Sequence, residues 1–248
     1  MPSFSPVVAA HWNRRVVGRD LYRDDRLRLV ANAGLEEDER VTVLRTAVDG
    51  RTSVAVTPEV ADAAGLADLA ARGLSEDDLR AALARAGVVL HDPDLLHHLD
   101  DTARAALLGE ADASGVRRLL ADDATLFADF ASAAPEQDLD DAYVELDHWA
   151  VFGAVDDDGR LVAAASAYPW GGSALADIGV LTLPDARGRG HGRAVVRALA
   201  RHALRAGYEP QYRCQPGNTA SIALAAAAGL TIFGRWEVVT PHAPAAGS

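Results

Sequence analysis

The first half of the chain carries short runs in which apolar and polar residues alternate, a pattern typical of half-buried β-strands. Asp49-Gly50, between two of these runs, is typical of a tight hairpin turn. The runs predict strands at 27–30, 41–46 and 52–56. A small mixed α and β region is therefore expected in this half.

Two helices are predicted to follow these strands. Thr57 stands before a proline, which suits a hydroxyl cap followed by the first helical position. Ser75 is followed three residues later by Asp78, the pattern of a capping box. The two helices are expected to end near Gly73 and Gly87, because glycine commonly terminates a helix.

The second half has a more regular succession of elements. Strands are predicted at 116–119, 149–155, 161–168, 175–182, 211–214, 230–233 and 236–239. Helices are predicted at 122–132, 135–146, 190–206 and 219–228. A loosely patterned segment near 109–115 is predicted to link the halves. The expected fold class is α/β with a mixed sheet, comprising a smaller α+β domain at 1–112, a second domain at 113–242 and a tail at 243–248.

Composition and charge narrow the functional classes. The chain has 24 basic residues, all arginine, and 36 acidic residues. The resulting net charge of −12 disfavours nonspecific binding to nucleic acid or to an anionic membrane. The chain has no apolar run of about 18 residues and no signal-peptide pattern at its start, so a cytoplasmic protein is expected. Its single cysteine, Cys214, excludes an internal disulfide and a cysteine zinc cluster. His97 and His98, read as helical neighbours, would point about 100° apart, so no metal site is predicted.

A glycine- and arginine-rich segment at 183–193 lies between a predicted strand and a predicted helix. Its glycines permit a tight turn whose N–H groups converge, and with the helix N-terminus they would form an anion site. The glycine order does not fit a dinucleotide-binding turn, and no Gly-Lys-Ser/Thr follows as in a phosphate-binding P-loop. A plain turn is the competing interpretation.

Two motifs in this half together resemble a known family. The sequence Val-Leu-Thr-Leu-Pro at 180–184, followed by Arg187-x-x-Gly190-x-Gly192, resembles the acyl-coenzyme A signature of the GNAT superfamily of N-acetyltransferases. About 25 residues later, Asn218-x-x-Ser221 followed by Ala-Gly-Leu at 228–230 resembles the second motif of that family. The predicted order of strands and helices over 116–240 also matches the family layout.

The resemblance implies a binding site for acetyl-coenzyme A as cosubstrate. Strand residues would hold the pantetheine, loop amides would hold the pyrophosphate, and Asn218 would face the pantetheine arm. By position, the implied coenzyme-binding residues are Val180, Leu181, Thr182, Arg187, Gly188, Arg189, Gly190, His191, Gly192, Arg193, Asn218 and Ser221. Arg189, Arg193, Arg197, Arg201 and Arg205 recur every four residues, so they would form one basic stripe. Phosphate contact is favoured near the loop, and an ordinary solvated face is favoured for 197–205.

Direct acetyl transfer to an amine requires loss of the ammonium proton, a hydrogen-bond donor to the thioester carbonyl and a proton for the leaving thiolate. Asp177 is the first candidate for the base or for anchoring a water relay, and Glu145 and His148 are the second. A salt-bridged aspartate and a helix-end histidine are the competing interpretations. The tyrosine that usually protonates the thiolate in the family is replaced here by Ala225.

The predicted function is therefore direct acetyl transfer from acetyl-coenzyme A to an amine, through a ternary complex without a covalent enzyme intermediate. Six acids within 136–147 would favour a cationic small-molecule or peptide acceptor, although an ordinary solubilising surface is the favoured interpretation of them. The alternative function is a non-catalytic acyl-coenzyme A sensor that signals to a partner. No nucleic-acid or membrane partner is predicted, and a homodimer is left open.

Overall fold

The computed structural model describes residues 2–239. They form two compact units, one made of residues 9–96 with 232–239 and the other of residues 2–8 with 97–231. The domain boundary predicted from the sequence lies between residues 112 and 113, and that assignment stays a prediction. The predicted tail at 243–248 lies outside the described residues.

The helices and strands follow in chain order, and several match the predicted bounds to within a residue. The helices are α1 (Pro6–Asn13), α2 (Pro58–Ala63), α3 (Leu66–Ala71), α4 (Glu76–Arg85), α5 (Asp101–Leu108), α6 (Ala124–Ala133), α7 (Glu136–Ala142), α8 (His191–Arg205) and α9 (Thr219–Ala228). The strands are β1 (Arg19–Arg23), β2 (Leu27–Ala31), β3 (Val41–Thr46), β4 (Thr52–Val56), β5 (Asp94–His98), β6 (Val116–Leu119), β7 (Ala150–Val155), β8 (Leu161–Pro169), β9 (Leu175–Thr182), β10 (Glu209–Cys214) and β11 (Thr231–Val238).

In the first unit, strands β1, β2, β4, β3 and β11 lie side by side in that order. β2 and β4 run parallel, whereas β3 pairs antiparallel with β4 and with β11. The capping box predicted at Ser75 and Asp78 is confirmed at the start of α4. Apolar side chains from these strands and from α2 to α4 form the core of the unit.

Several local predictions were wrong, each for a local reason. The single helix expected after Thr57 is broken into α2 and α3 at Gly65, which is left-handed at φ +61°. The helix expected at 135–146 ends at Ala142, because Tyr143 takes a left-handed conformation at φ +47°. The two closing strands expected at 230–233 and 236–239 are one continuous strand, β11.

In the second unit the strands lie side by side in the order β5, β10, β9, β8, β7, β6. Only residues 97–98 of β5 belong to this unit. β6 to β9 pair antiparallel, and β9 and β10 run parallel. The small side chains of β8 are buried, which lets α8 pack closely against β7, β8 and β9, with α9 beside it. Within the described residues, no helix is both long and apolar enough to cross a membrane.

His97 and His98 lie on β5, so the assumption that they are helical neighbours was wrong. Their alternation points the two rings differently: Nδ1 of His97 lies 3.3 Å from the carbonyl oxygen of Tyr212, and Nδ1 of His98 lies 3.1 Å from that of Pro210. Burial lowers the pKa of His98 to about 4, so its ring is neutral at pH 7. The histidines therefore tie β5 to β10 by hydrogen bonds.

Candidate active site

A cleft of about 640 Å³ runs from the end of β9 to the N-terminus of α8. The turn between them begins with Pro184 and reaches Gly190, which caps α8 in a left-handed conformation at φ +87°. Glycine adopts this conformation without the steric cost that other residues incur. The first N–H groups of α8 lack partners within the helix, so this end of the cleft suits an anionic group.

Nearly all of the residues implied by the two sequence motifs line this cleft. Those that do are Val180, Leu181, Thr182, Arg187, Gly188, Gly190, His191, Gly192, Arg193, Asn218 and Ser221. Arg189 lies in the exposed turn and is not a lining residue. The fold therefore gathers two segments about 25 residues apart around one concave surface of ligand-binding size.

Arg187 crosses one side of the cleft. Its Nη2 donates to Oδ2 of Asp138 on α7 at 2.6 Å, and its Nε donates to the carbonyl oxygen of Thr182 at 3.2 Å. Both Asp138 and Arg187 line the cleft. The guanidinium predicted to contact phosphate is thus held by a carboxylate of the acidic helix.

Asn218 and Tyr212 lie on the α9 side of the cleft. The Asn218 side-chain oxygen accepts the Ser221 N–H at 3.0 Å and so caps α9. This cap leaves the amide N–H₂ of Asn218 available at the cleft wall. Burial raises the pKa of Tyr212, whose hydroxyl is hydrogen-bonded to Ser221. Ala225, where the family usually has tyrosine, is fully buried.

The parallel pairing of β9 with β10 ends at the couple Asp177–Gln211. Residues 178–182 of β9 and 212–214 of β10 extend past this couple, and the cleft lies along them. Main-chain groups of β9 beyond Asp177 can therefore face a ligand in place of a neighbouring strand. This arrangement explains how strand residues 180–182 come to line a cleft.

Asp177 is buried at the point where the two strands part. Its carboxylate accepts from Arg213, with Nη2 to Oδ2 at 2.8 Å, and from Gln211 Nε2 at 3.0 Å. Tyr168 donates its hydroxyl to Oδ2 at 3.2 Å. The Arg213 guanidinium also lies over the ring of Trp170, 4.8 Å from the centroid. Asp177 is thus salt-bridged, and its predicted role as a proton acceptor stays a prediction.

Glu145 and His148 lie on the loop between α7 and β7. The His148 ring packs between the rings of Tyr143 and Tyr168, at centroid distances of 4.9 and 5.2 Å. Nε2 of His148 is 3.5 Å from Oε2 of Glu145. The Glu145 carboxylate is half exposed, so an acceptor molecule can reach it.

Gly179 allows this loop to approach β9. A Cβ at this position would overlap the carbonyl oxygen of Ala142, the last residue of α7. Tyr143 then turns the chain with its left-handed backbone, an uncommon conformation for an aromatic residue. Its ring, 53% exposed, forms the outer end of the aromatic group with His148 and Tyr168.

The basic stripe on α8 has two different surroundings. Arg197 donates to Glu110 and to the carbonyl oxygen of Ala228, and Arg201 pairs with Asp112. These contacts join α8 to the segment that follows α5. The solvated face expected for 197–205 was therefore wrong for Arg201, which is buried, and these ion pairs stabilise the unit.

The sequence motifs do not identify four contributors to this region: Ser166, Trp170, Tyr212 and Arg213. Their contacts reach partners 18 or more residues away in most cases, and no short motif contains them. Among the described residues, no cluster of three or more His, Cys, Asp or Glu side chains could hold a metal ion.

The model of the acetyltransferase (GNAT) family matches residues 116–230. These residues are therefore a GNAT-family acetyltransferase domain, and they include the cleft and both of its sequence motifs. The family resemblance seen in the sequence is confirmed, as is the mixed α/β class of the fold. No curated protein sequence matches the chain.

Solved structures similar to this chain include several acetyltransferases at low identity. A protein from Novosphingobium aromaticivorans assigned to the GNAT acetyltransferases is 21% identical, with TM-score 0.47, over 61% of this chain and 64% of its own. A GNAT acetyltransferase from Colwellia psychrerythraea is 22% identical, with TM-score 0.48, over 66% and 62%. A GCN5-related N-acetyltransferase from Sphaerobacter thermophilus is 14% identical, with TM-score 0.47, over 83% and 81%. The chain thus spans less than two thirds of the first two proteins.

Proposed function

We propose that the second unit transfers an acetyl group from acetyl-coenzyme A directly to an amine, with both substrates bound together. The observation that carries this proposal is the cleft itself, which joins the unpaired part of β9 to the N-terminus of α8. A ligand with an anionic pyrophosphate at one end and an extended amide-rich arm fits those two ends. The family assignment supports acyl transfer as the class of reaction.

The residues of the cleft would divide the binding task between them. The N–H groups at the start of α8, with Arg193 beside them, would hold the pyrophosphate. Residues 180–182 of β9 would pair with the pantetheine amides, and Asn218 would donate its N–H₂ to the same arm. A β9 main-chain N–H past Asp177 would donate to the thioester oxygen, where negative charge develops during transfer.

Proton transfer would fall to the group of residues at the end of the β9–β10 pairing. Asp177, Glu145 and His148 are the candidates to receive the ammonium proton. Tyr212 lines the cleft and carries a hydroxyl, so it is a candidate donor to the thiolate in place of Ala225. The acceptor would approach past Glu145 and the exposed Tyr143 ring. The carboxylate charge of Glu145 and the π face of Tyr143 both favour a cationic amine.

Turnover of acetyl-coenzyme A with a panel of amines tests this function. Release of free thiol that depends on both the amine and the protein is expected, with cationic amines best at low salt. The alternative, a non-catalytic acyl-coenzyme A sensor, predicts tight coenzyme binding by calorimetry without thiol release on any amine. An anionic amine as the best acceptor would contradict the role given to the acidic helix.

A further inference from the structure

Ser166 lies on β8, and its side chain is fully buried against the loop that carries Glu145 and His148. Its oxygen accepts the main-chain N–H of Glu145 at 3.4 Å and lies 2.8 Å from Nδ1 of His148. Buried hydroxyl groups normally have partners for both their hydrogen and their oxygen. One buried hydroxyl therefore fixes both ends of this loop segment.

The partners of this hydroxyl determine which nitrogen of His148 carries the proton. The Glu145 N–H can only donate, so the hydroxyl hydrogen must be directed to an acceptor. Among the contacts of Ser166 within residues 2–239, Nδ1 of His148, 2.8 Å away, is the side-chain atom that can accept this hydrogen. A neutral imidazole whose Nδ1 accepts a hydrogen bond carries its own proton on Nε2. Nε2 is the nitrogen that faces the Glu145 carboxylate.

The groups around His148 hold the ring in this orientation. Tyr143 at the end of α7 and Tyr168 on β8 pack against its faces and edges. Glu145 on its own loop is the charged group that faces it directly. Asp177 on β9 is connected to the ring through Tyr168 and is paired with Arg213. A half turn of the ring about the Cβ–Cγ bond would place the carbon Cδ2 where Nδ1 now meets Ser166, so it would lose the Ser166 contact.

We infer that Ser166 is a positioning residue that fixes neutral His148 with its proton on Nε2, so that His148 orients Glu145 and Glu145 takes the ammonium proton. This inference rests on the proposed transfer to an amine. It separates two residues that sequence reasoning could not rank. Glu145 becomes the catalytic residue because its half-exposed carboxylate can contact the acceptor. His148 is a positioning residue that orients this carboxylate.

The proposed step balances as follows. A Glu145 oxygen takes one proton from R–NH₃⁺ and leaves the neutral amine R–NH₂. The nitrogen lone pair forms the C–N bond to the acetyl carbon, and the C–S bond breaks with its electron pair leaving on sulfur. The nitrogen loses its second proton, the sulfur gains one, and Glu145 releases its proton to solvent. The products are the amide, the thiol and one proton.

The position of the proton can be measured without any activity. We expect two-bond ¹H–¹⁵N spectra of the free protein near neutral pH to show His148 protonated on Nε2, with the signal assigned by its loss in His148→Gln. Ser166→Ala should then show a mixture of the two tautomers, while Ser132→Ala, a control on the exposed α6 helix, should not. A His148 ring protonated on Nδ1 in the parent protein would overturn the inference. Equal spectra of the parent and Ser166→Ala would also overturn it.

Kinetics test the assignment of Glu145. Glu145→Gln should lower kcat about 100-fold, the range for loss of a general base. His148→Ala should lower it by about 10- to 100-fold through misplacement of the carboxylate. His148→Gln, whose side-chain N–H₂ replaces the Nε2 donor, should recover at least about tenfold of the activity lost in His148→Ala. Equal losses in both His148 variants would identify His148 as the base and contradict the inference.

These experiments separate two kinds of failure. If the parent protein releases no thiol with any amine, the proposed function fails, whatever the tautomer spectra show. If the protein turns over an amine but the spectra place the proton on Nδ1, the function stands and the inference fails. Circular dichroism and urea unfolding of each variant show whether a loss of activity comes from unfolding.

Discussion

Arg187 and Asp138 form an ion pair at the cleft, with Nη2 of the arginine 2.6 Å from Oδ2 of the aspartate. The first comes from the glycine-rich turn after β9 and the second from the acidic helix α7. Both line the proposed coenzyme site. A phosphate that binds Arg187 must therefore compete with Asp138 for the same guanidinium.

This competition predicts that Asp138→Asn strengthens binding of coenzyme A. Removal of the carboxylate frees Arg187 for phosphate, and the expected gain is a few-fold, because exposed ion pairs contribute about 0.2–1 kcal/mol. Arg187→Gln should weaken binding instead. Isothermal titration calorimetry with coenzyme A at low salt measures both. The matched control is Asp141→Asn, since Asp141 also lines the cleft but is hydrogen-bonded to Gln137. Weaker binding in Asp138→Asn would show that Asp138 contacts the coenzyme itself.

The sequence was sufficient to place the turn and its flanking strand and helix, because those features depend on local chemistry. Proline fixes its own φ, and closely spaced glycines permit the left-handed conformations of a tight turn. The structure has β9, the turn and α8 where expected. The capping box at Ser75 is another local feature, and it too was predicted.

Long-range partners could not be predicted in the same way. β5 has the sequence Asp-Leu-Leu-His-His, which has no alternation that would predict a strand. The rings of its two histidines are hydrogen-bonded to carbonyl oxygens of β10, more than 110 residues later in the chain. In the sequence, Ser166 is one small residue in an alanine-rich strand, and no local pattern predicts its contact with His148. The pairing of Asp177 with Arg213 likewise depends on the register of two parallel strands.

Gly192 provides a steric test of the cleft. A Cβ at this position would lie 2.9 Å from Oγ1 of Thr182 and 3.5 Å from a methyl of Leu224, so either the Thr182 side chain, which lines the cleft, or the start of α8 must shift. We expect Gly192→Ala to weaken coenzyme A binding at least about tenfold, equal to 1.4 kcal/mol. Gly217→Ala is the control, because a Cβ there meets nothing within 4 Å and the residue has no positive φ. Unchanged affinity in a folded Gly192→Ala protein would remove this turn from the binding site.

Asp177 and Arg213 allow a proton-accepting role to be separated from a structural one. Asp177→Asn should lower kcat about 100-fold if the carboxylate takes part in proton removal. Arg213→Gln keeps that carboxylate, with its bonds from Gln211 and Tyr168, while it removes the ion pair. Both variants should lose stability, by up to about 3 kcal/mol, because Arg213→Gln leaves the buried Asp177 without its cation and Asp177→Asn leaves the partly buried Arg213 without its anion.

Comparison of the two variants by steady-state kinetics and urea unfolding gives the answer. A large loss of kcat in Asp177→Asn with a small loss in Arg213→Gln supports a role in proton transfer. Equal losses of kcat that follow the losses of stability would make the pair structural. In that case Glu145 would remain as the carboxylate for the chemistry.

His98 predicts a specific acid sensitivity of the second unit. Burial lowers its pKa to about 4 in the folded protein, against about 6.5 in an unfolded chain. Between these values the unfolded chain binds a proton that the folded one does not, so the free energy of unfolding falls as the pH falls from about 6.5 to about 4. The contribution is about 3 kcal/mol, at about 1.4 kcal/mol per pH unit. His98→Asn removes it and keeps an N–H donor near the Nδ1 position for the Pro210 carbonyl. Urea unfolding of both proteins at pH 7.5 and 4.5 should therefore show a smaller acid-induced loss in the variant. Identical losses would mean that His98 is protonated in the folded protein and that its bond to β10 tolerates the charge.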